Sequence, residues 1–412
     1  MSGSGIGNEA MKPDRLLAQE KGAFPSIKAP CPYFGSCGGC TLQDLAYTDQ
    51  LAFKQQRLLK LLGPLDPSLT LEVVGLNDPW RYRNKAEFTF SGTSEELTLG
   101  FHASRSFWRI VDIEACLLLP DSVSEVLRDA KALARATGLP AYNPRSHQGF
   151  FRYLLVRASH ATGRLLACLV TTAGNRPLIE QVAETLMARH PALESFYWGV
   201  NEKVADIAVP DELVHVRGRP YLHDRIGPFT LQVHPLSFLQ PTPAQAERMY
   251  ATMLEWVNGI PSGVAWDLYC GIGLVGFYLA SAFRTVYGID VDAQNLEMAR
   301  LNAAANGITN MEFHLGRAED VLLNKRFWLT DAKPDVVVVD PPRSGLHARV
   351  VASLLDARPK QIVCFSCNVQ TLVRDLQLLL TGFPRYRLRR VRAFDLFPHT
   401  AHVEVLTLLE RA

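Results

Sequence analysis

Two rhythms of apolar and polar residues divide the chain. From about residue 71 to 230, short runs alternate in the period-two manner of half-buried strands: "AEFTFSG", "LTLGFHA", "FRYLLVRAS" and "RLLACLVTTA". Helical periodicity interrupts them at "DSVSEVLRDAKALARATG" and "NRPLIEQVAETLMARH". That mixture predicts an α+β domain. From about residue 245, strand and helix follow one another in turn. "GVAWDLYC", "TVYGIDV", "DVVVVD" and "QIVCFSC" read as strands; "GLVGFYLASAF", "AQNLEMARLNAAANG" and "VQTLVRDLQLLL" read as helices. "DVVVVD" is apolar without alternation, as a strand covered on both faces of a parallel sheet is. The last two strand-like runs, "RLRRVRAFDLF" and "HVEVLTLLER", have no helix between them and predict a closing antiparallel pair. The C-terminal part is therefore expected to be a doubly wound, Rossmann-like α/β sheet.

Ahead of both rhythms lies a polar, Gly- and Pro-punctuated stretch over 1–30, expected to be a loose arm. The cysteine cluster "CPYFGSCGGC" (31–40) follows, then a helical pattern through "LQDLAYTDQLAFKQQRLLKLL". The expected organisation is an arm with a cysteine motif over 1–66, an α+β middle domain over 67–235 and the α/β domain over 236–412.

A chain of 412 residues has room for two or three cores. Its formal charge of +2 gives little whole-molecule attraction to nucleic acid, so any such contact must come from local patches. No apolar run reaches the roughly 18–20 residues that cross a bilayer. The start lacks the charged-then-apolar pattern of a secretory signal. A cytoplasmic monomer without a membrane partner is expected. In that compartment eight cysteines point to reduced thiols, metal ligands or a nucleophile rather than a disulfide framework.

Candidate chemistry begins at "DLYCGIGLVG". Gly271, Gly273 and Gly276 follow a strand at the mouth of a helix, where they permit a tight turn and close backbone approach of a ligand. Asp290 ends the next strand, about 20 residues on, where an acid can hold ribose hydroxyls. Both NAD(H) and S-adenosylmethionine present such a ribose, so the loop does not choose between hydride and methyl transfer. "DPPRSG" (340–345) builds a stiff loop at the end of a parallel strand, which a dehydrogenase has no evident need of.

Cys364 and Cys367 are three apart, on a strand and at its end, and so point to opposite faces rather than forming a thioredoxin-type dithiol. Cys367 falls at the carboxyl end, where open α/β sheets bind ligands, and is the candidate nucleophile. Cys364 reads as core, and Cys168 and Cys270 as ordinary core or near-site thiols. A thiolate beside a methyl donor suits uracil: addition to carbon 6 makes carbon 5 nucleophilic, and a base must later remove the carbon-5 proton. Glu404, His399 and His402 are the candidate bases. Glu404 is favoured, because a carboxylate among apolar residues of a central strand is costly without a purpose.

Taken together, "DLYCGIG", "DPPRSG", "FSCN" and "FPHTAHVEVLTLL" resemble the RNA 5-methyluridine methyltransferases, most closely their ribosomal-RNA branch, the RlmC type. The stretch "RYRNKAEFTFSG" is similar to that branch too. The resemblance implies S-adenosylmethionine-dependent methylation of carbon 5 of a uridine in 23S ribosomal RNA, with Cys367 as nucleophile and Glu404 as base. It further implies cofactor contacts from Gln240, Tyr269, Asp290 and Asp340, beside Gly271 and Gly273. Two positions depart from the family pattern. Pro241 and Thr242 follow Gln240 where a Phe-Gln-x-Asn stretch is usual, and Leu274 stands where an Asn often follows the second glycine. The same reaction on transfer RNA, and a catalytically silent RNA-binding relative, are the alternatives.

Cys31, Cys37 and Cys40, with Cys116 as a fourth, suit either zinc or an iron–sulfur centre by residue type. The family resemblance implies a [4Fe–4S] cluster on these four. "RYRNK" (81–85), "HASRSFWRI" (102–110) and "RYRLRRVR" (385–392) mix bases with aromatics, as phosphate contact and base stacking require.

Overall fold

Helix α1 (Pro13–Lys21) stands where a loose arm was expected, in a computed structural model that describes residues 13–106, 108–205, 207–257, 263–323 and 333–412. Tertiary contacts hold it: Lys21 Nζ lies 2.7 Å from Asp44, and Glu20 pairs with Arg57 and Lys60. The cysteine loop leads into α2 (Tyr47–Leu62) and the two-residue strand β1 (Val73–Val74).

The middle of the chain forms β2 (Lys85–Ser91), β3 (Thr98–His102), β4 (Ile110–Asp112) and α3 (Asp121–Ala136). It continues with β5 (Phe151–Ala158), β6 (Leu165–Thr171), α4 (Arg176–Arg189), β7 (Leu193–Val200) and β8 (Glu212–Gly218). The seven strands make one sheet in the order β4-β3-β2-β5-β6-β7-β8. Their alternating apolar residues, among them Phe88, Phe90, Leu154, Val156 and Leu169, pack against α3 and α4. A hairpin of β9 (Leu222–Ile226) and β10 (Phe229–Val233) then joins the C-terminal half, packing on its helices.

That half runs through α5 (Pro243–Val257), β11 (Val264–Leu268), α6 (Leu274–Ala280), β12 (Thr285–Asp290), α7 (Ala293–Ala305), β13 (Met311–Leu315) and α8 (Ala318–Val321). It closes with β14 (Val336–Val339), α9 (Ala348–Ala357), β15 (Gln361–Ser366), α10 (Val369–Thr381), β16 (Tyr386–Phe394) and β17 (Glu404–Arg411). The eight-stranded order is β1-β16-β17-β15-β14-β11-β12-β13. Strands β11 to β15 are parallel, and β17 runs antiparallel between β15 and β16, the expected closing pair. The run of valines serves both faces at once. Val336 and Val338 pack into one core, Val337 and Val339 into the other. β1 pairs with β16 at the far edge, so this sheet also draws on residues long before 236.

Two buried polar residues tie the halves together. Arg157 on β5 donates to the carbonyls of Pro235 and Ser237. Asn84 donates its side-chain amide to Gln240 O (2.9 Å) and its backbone N–H to Pro241 O (3.0 Å). No described helix is long and apolar enough to cross a membrane.

Candidate active site

The chain winds away from β11 in both directions, to β12 on one side and β14 on the other, so the switch point of the sheet lies at the carboxyl ends of β11 and β14. There the backbone turns left-handed three times within five residues, at Tyr269 (φ 67°), Gly271 (53°) and Gly273 (88°). A side chain on Gly271 would meet nothing within 4 Å, so that backbone faces open space. Gly271 N–H donates to Asp290 Oδ2 (2.8 Å) and Asp292 N–H to Asp290 Oδ1 (2.8 Å), leaving a lone pair on each oxygen for a further donor. Gly276 N–H donates to Oδ2 of buried Asp267 (2.8 Å), while Asp267 Oδ1 has no hydrogen-bond partner. Burial pushes the Asp267 carboxyl well above the usual range.

The Asp-Pro-Pro loop starts from β14. Asp340 N–H donates to Leu268 O (3.3 Å), bringing the loop beside the glycine turn. Helix α10 holds the loop's far end: Asn368 Nδ2 donates to Arg343 O (2.9 Å), and Asp375 Oδ2 accepts from Leu346 N–H (2.7 Å).

Cys367 lies between β15 and α10 and is half-buried, whereas Cys364 is buried on the strand opposite Thr407. Burial pushes the Cys364 thiol up to about 12 and also keeps the Cys168 thiol near 12 and Cys270 raised, the behaviour of core thiols. Glu404 begins β17, is buried, and has Oε1 without a hydrogen-bond partner. Its carboxyl is driven well up by burial and by Asp340, against the pull of Arg343. Burial lifts Asp340 itself to about 7. The Cys367 thiol is raised by burial and by Glu404, and lowered by the charge and the hydrogen bond of Arg343.

Cys367, Glu404, Asp340 and Arg343 therefore sense one another at one end of the sheet. Two like carboxyls in a dry place resist ionising together. Arg343 was overlooked in the sequence reading although it stands inside the quoted loop; the signal was a lone cation immediately after two prolines. Asp267 was overlooked too, and its signal was an acid inside an apolar strand, just before the glycines.

The other candidates separate by environment. His399 takes up the left-handed conformation (φ 65°), stacks on Trp80 at 3.8 Å and sits between Gln50 and the Pro79 carbonyl, a structural place. His402 is exposed and lines a cavity of about 380 Å³ together with Cys367, Arg57 and Thr400. Gln240 is buried, with its carbonyl clamped by Asn84. Tyr269 is partly buried beside the loop, its hydroxyl raised to about 12 by burial. The two departures have structural uses. Thr242 Oγ1 donates to Leu396 O (2.6 Å) at the start of α5, and Leu274 is buried in the core, offering no polar group to a ligand.

Cys31, Cys37, Cys40 and Cys116 line one cavity of about 990 Å³. Burial, then the neighbouring thiols, pushes Cys40 up to about 12, and Cys116 rises to about 11. The Cys37, Cys40 and Cys116 thiols are each raised by burial and by neighbouring thiols, a donor set that a cationic centre would relieve. Yet among the described residues no group of three or more His, Cys, Asp or Glu side chains is arranged to hold a metal ion.

The basic runs are mixed in character. Tyr82 is buried, donating to Pro398 O (3.1 Å), and so is withdrawn from base stacking. Arg387, Arg389 and Arg390 are exposed on β16, and Trp108 is 56% exposed with Arg145 over its ring. Phe107 lies outside the described residues.

The family model described as tRNA (Uracil-5-)-methyltransferase matches residues 228–412. A protein of Halalkalibacterium halodurans described as an uncharacterized RNA methyltransferase is 34% identical over 400 residues, covering 96% of this chain and 86% of that protein. A similarly described protein of Caldanaerobacter subterraneus is 34% identical, covering 94% and 85%. The solved tRNA (uracil-54, C5)-methyltransferase of Pyrococcus abyssi, in complex with S-adenosyl-L-homocysteine, aligns with a TM-score of 0.75 at 31% identity over 90% of this chain and 85% of that one. The doubly wound sheet with its closing antiparallel pair is thus an α/β methyltransferase fold. The chain belongs to the uracil-5 RNA methyltransferase family.

Proposed function

We propose that the protein transfers a methyl group from S-adenosylmethionine to carbon 5 of a uridine in 23S ribosomal RNA. The observation that carries this reading is the meeting of Cys367, Glu404, Asp340 and Arg343 beside the open glycine turn. Gly271, Gly273, Asp290, Tyr269, Asp340 and Gln240 would hold the cofactor. When bound, it supplies an electrophilic methyl group on a sulfonium sulfur.

The Cys367 thiolate adds to carbon 6 of the uracil, forming the S–C6 bond and moving the electron pair of the C5=C6 bond toward carbon 5. Carbon 5 would then take up the methyl group that the cofactor supplies, the electron pair of the broken S–CH3 bond staying on sulfur. Glu404 removes the carbon-5 proton, the C5=C6 bond re-forms, and the S–C6 bond breaks to return the thiolate. Arg343 steadies the thiolate before attack and after release. Burial and Asp340 raise the Glu404 carboxyl, and the Arg343 guanidinium favours its carboxylate. The target uridine reaches Cys367 unpaired or flipped out of its stack.

Ribosomal RNA is favoured by the closeness of the quoted motifs to the ribosomal branch. Transfer RNA is the second reading, favoured by the family model and by the substrate of the Pyrococcus abyssi enzyme. Cys31, Cys37, Cys40 and Cys116 would hold a [4Fe–4S] cluster, supplying a cross-link between the arm and the middle domain rather than a redox step. The arm (1–66) and the middle domain (67–235) would grip the RNA, with the methyl transfer housed in 236–412.

Anaerobically purified protein mixed with S-adenosylmethionine and a 5-fluorouridine 23S fragment is expected to give a denaturation-stable band, since fluorine at carbon 5 cannot leave as a proton. The band is lost in Cys367→Ala and kept in Cys364→Ala. A band with transfer RNA alone would move the substrate to the second reading. No band with either RNA, cofactor being bound, would leave the silent relative.

A further inference from the structure

Helix α1 brings a carboxylate to an arginine that lines the cavity containing Cys367. Glu20 Oε2 lies 3.1 Å from Arg57 Nε and its Oε1 3.6 Å from Lys60 Nζ. Arg57 and Lys60 are three apart on α2 and so share a face, and Arg57 lines the Cys367 cavity. Leu17, one turn before Glu20, lines it from the α1 side.

The contact is one of charge rather than of directed bonding. Glu20 Oε2 is buried yet accepts no hydrogen bond, despite its closeness to the guanidinium. The lysine is 69% exposed and the arginine 35%. A pairing of this kind is weak in water and readily exchanged for another anion. Elsewhere the helix is better fixed, through Lys21 to Asp44 and to Thr41 O, so the carboxylate can be displaced without freeing α1.

A uridine whose base reaches Cys367 must leave its phosphates near the rim of the same cavity, and phosphate recognition favours guanidinium and ammonium groups. We infer that Arg57 and Lys60 form a phosphate-binding pair for the substrate RNA at the mouth of the Cys367 cavity, and that Glu20 occupies this pair as an internal phosphate mimic until RNA displaces it. The inference rests on the proposed attack of Cys367 on an RNA uridine. It adds a subsite and a built-in competitor outside the basic runs marked in the sequence.

The test uses the full-length protein, unmodified 23S and transfer RNA transcripts as probes, and filter binding across a salt series. Glu20→Gln is expected to tighten RNA binding about two- to fivefold, the range spanned by an exposed ion pair. Arg57→Gln with Lys60→Gln is expected to weaken binding and to flatten the salt dependence by roughly 1.4 in log–log slope, two single-strand phosphate contacts. In that double background, Glu20→Gln should change nothing. S-adenosylhomocysteine affinity, measured by calorimetry, should be the same in every variant. Glu20→Gln that leaves RNA affinity unaltered or weaker, or that acts equally without the two cations, overturns the inference. A wild-type protein that still traps 5-fluorouridine would in that case leave the methyl-transfer reading standing. A wild-type protein that binds neither transcript removes that reading, and this one with it.

Discussion

The Arg343 guanidinium lowers the Cys367 thiol's pKa, while Glu404 raises it, so two neighbours act on one sulfur with opposite sign. In the proposed mechanism the attack on carbon 6 requires the thiolate, so the two neighbours would set how much nucleophile exists at a given pH. Removing the cation that lowers the thiol's pKa must raise it, and removing the carboxylate that raises it must lower it. Iodoacetamide labelling of RNA-free protein, read peptide by peptide in a mass spectrometer, should therefore shift in opposite directions. The pH midpoint for Cys367 moves up in Arg343→Gln and down in Glu404→Gln. Cys364, buried with its thiol near 12, should label in neither until the protein unfolds. Midpoints that move together would remove the coupling on which the mechanism depends.

The open face at Gly271 leads to a second expectation. Its φ of 53° suits glycine, and an added methyl group would meet no protein atom. Gly271→Ala should then cost only about 1–2 kcal/mol of stability, the penalty of a left-handed residue. Loss of S-adenosylhomocysteine binding by tenfold or more, on a protein with a near-native urea midpoint, is the expected outcome. Affinity that stays within twofold would mean that the ligand does not lie over this turn.

How much of this could be read from the residues depended on the range of the interactions. The strand of four valines, the two closing strands and the glycine turn were legible, because alternation, chain length and turn chemistry are local. β1 was not legible: two residues become a strand only by pairing with Ala393 and Phe394, far along the chain. α1 escaped for a similar reason, since Lys21 holds it to Thr41 and Asp44, 20 and 23 positions further along the chain, rather than through its own pattern. Cys367 and Glu404 stood out individually as a thiol at a strand end and an acid in an apolar run. Their link through Arg343 and Asp340 arises only when β14, β15 and β17 are laid side by side.

The cysteine cavity gives a prediction that is separable from methyl transfer. If the four thiols hold a [4Fe–4S] cluster, protein purified without oxygen should carry iron and acid-labile sulfide together. Cys40→Ser and Cys116→Ser should lose both and melt at a lower temperature, because a bridge that closes a long loop is broken. S-adenosylhomocysteine affinity should not follow, since the glycine turn belongs to the other sheet. Zinc without sulfide, or metal retained in either variant, would reject the cluster.

The last expectation concerns what holds Glu404 in place. Lys54 on α2 and Asp395 at the end of β16 form an ion pair at 2.6 Å, with both side chains wholly buried. Tyr47 donates to the same carboxylate (3.0 Å), and Lys54 donates a further bond to Phe397 O (3.1 Å). This network pins the start of the 395–403 segment, whose other end is Glu404. Breaking one half strands a charge in the core, so Lys54→Met should cost about 3–5 kcal/mol in urea unfolding. Lys54→Met with Asp395→Leu should recover most of that loss, because neither charge then needs burial. Activity should separate the pair's two roles. If the network serves only stability, the double variant regains turnover along with its unfolding midpoint. If it also positions the base, stability returns while kcat stays low and KM for RNA is unchanged. A single Lys54→Met variant that is as stable as wild type would refute both roles.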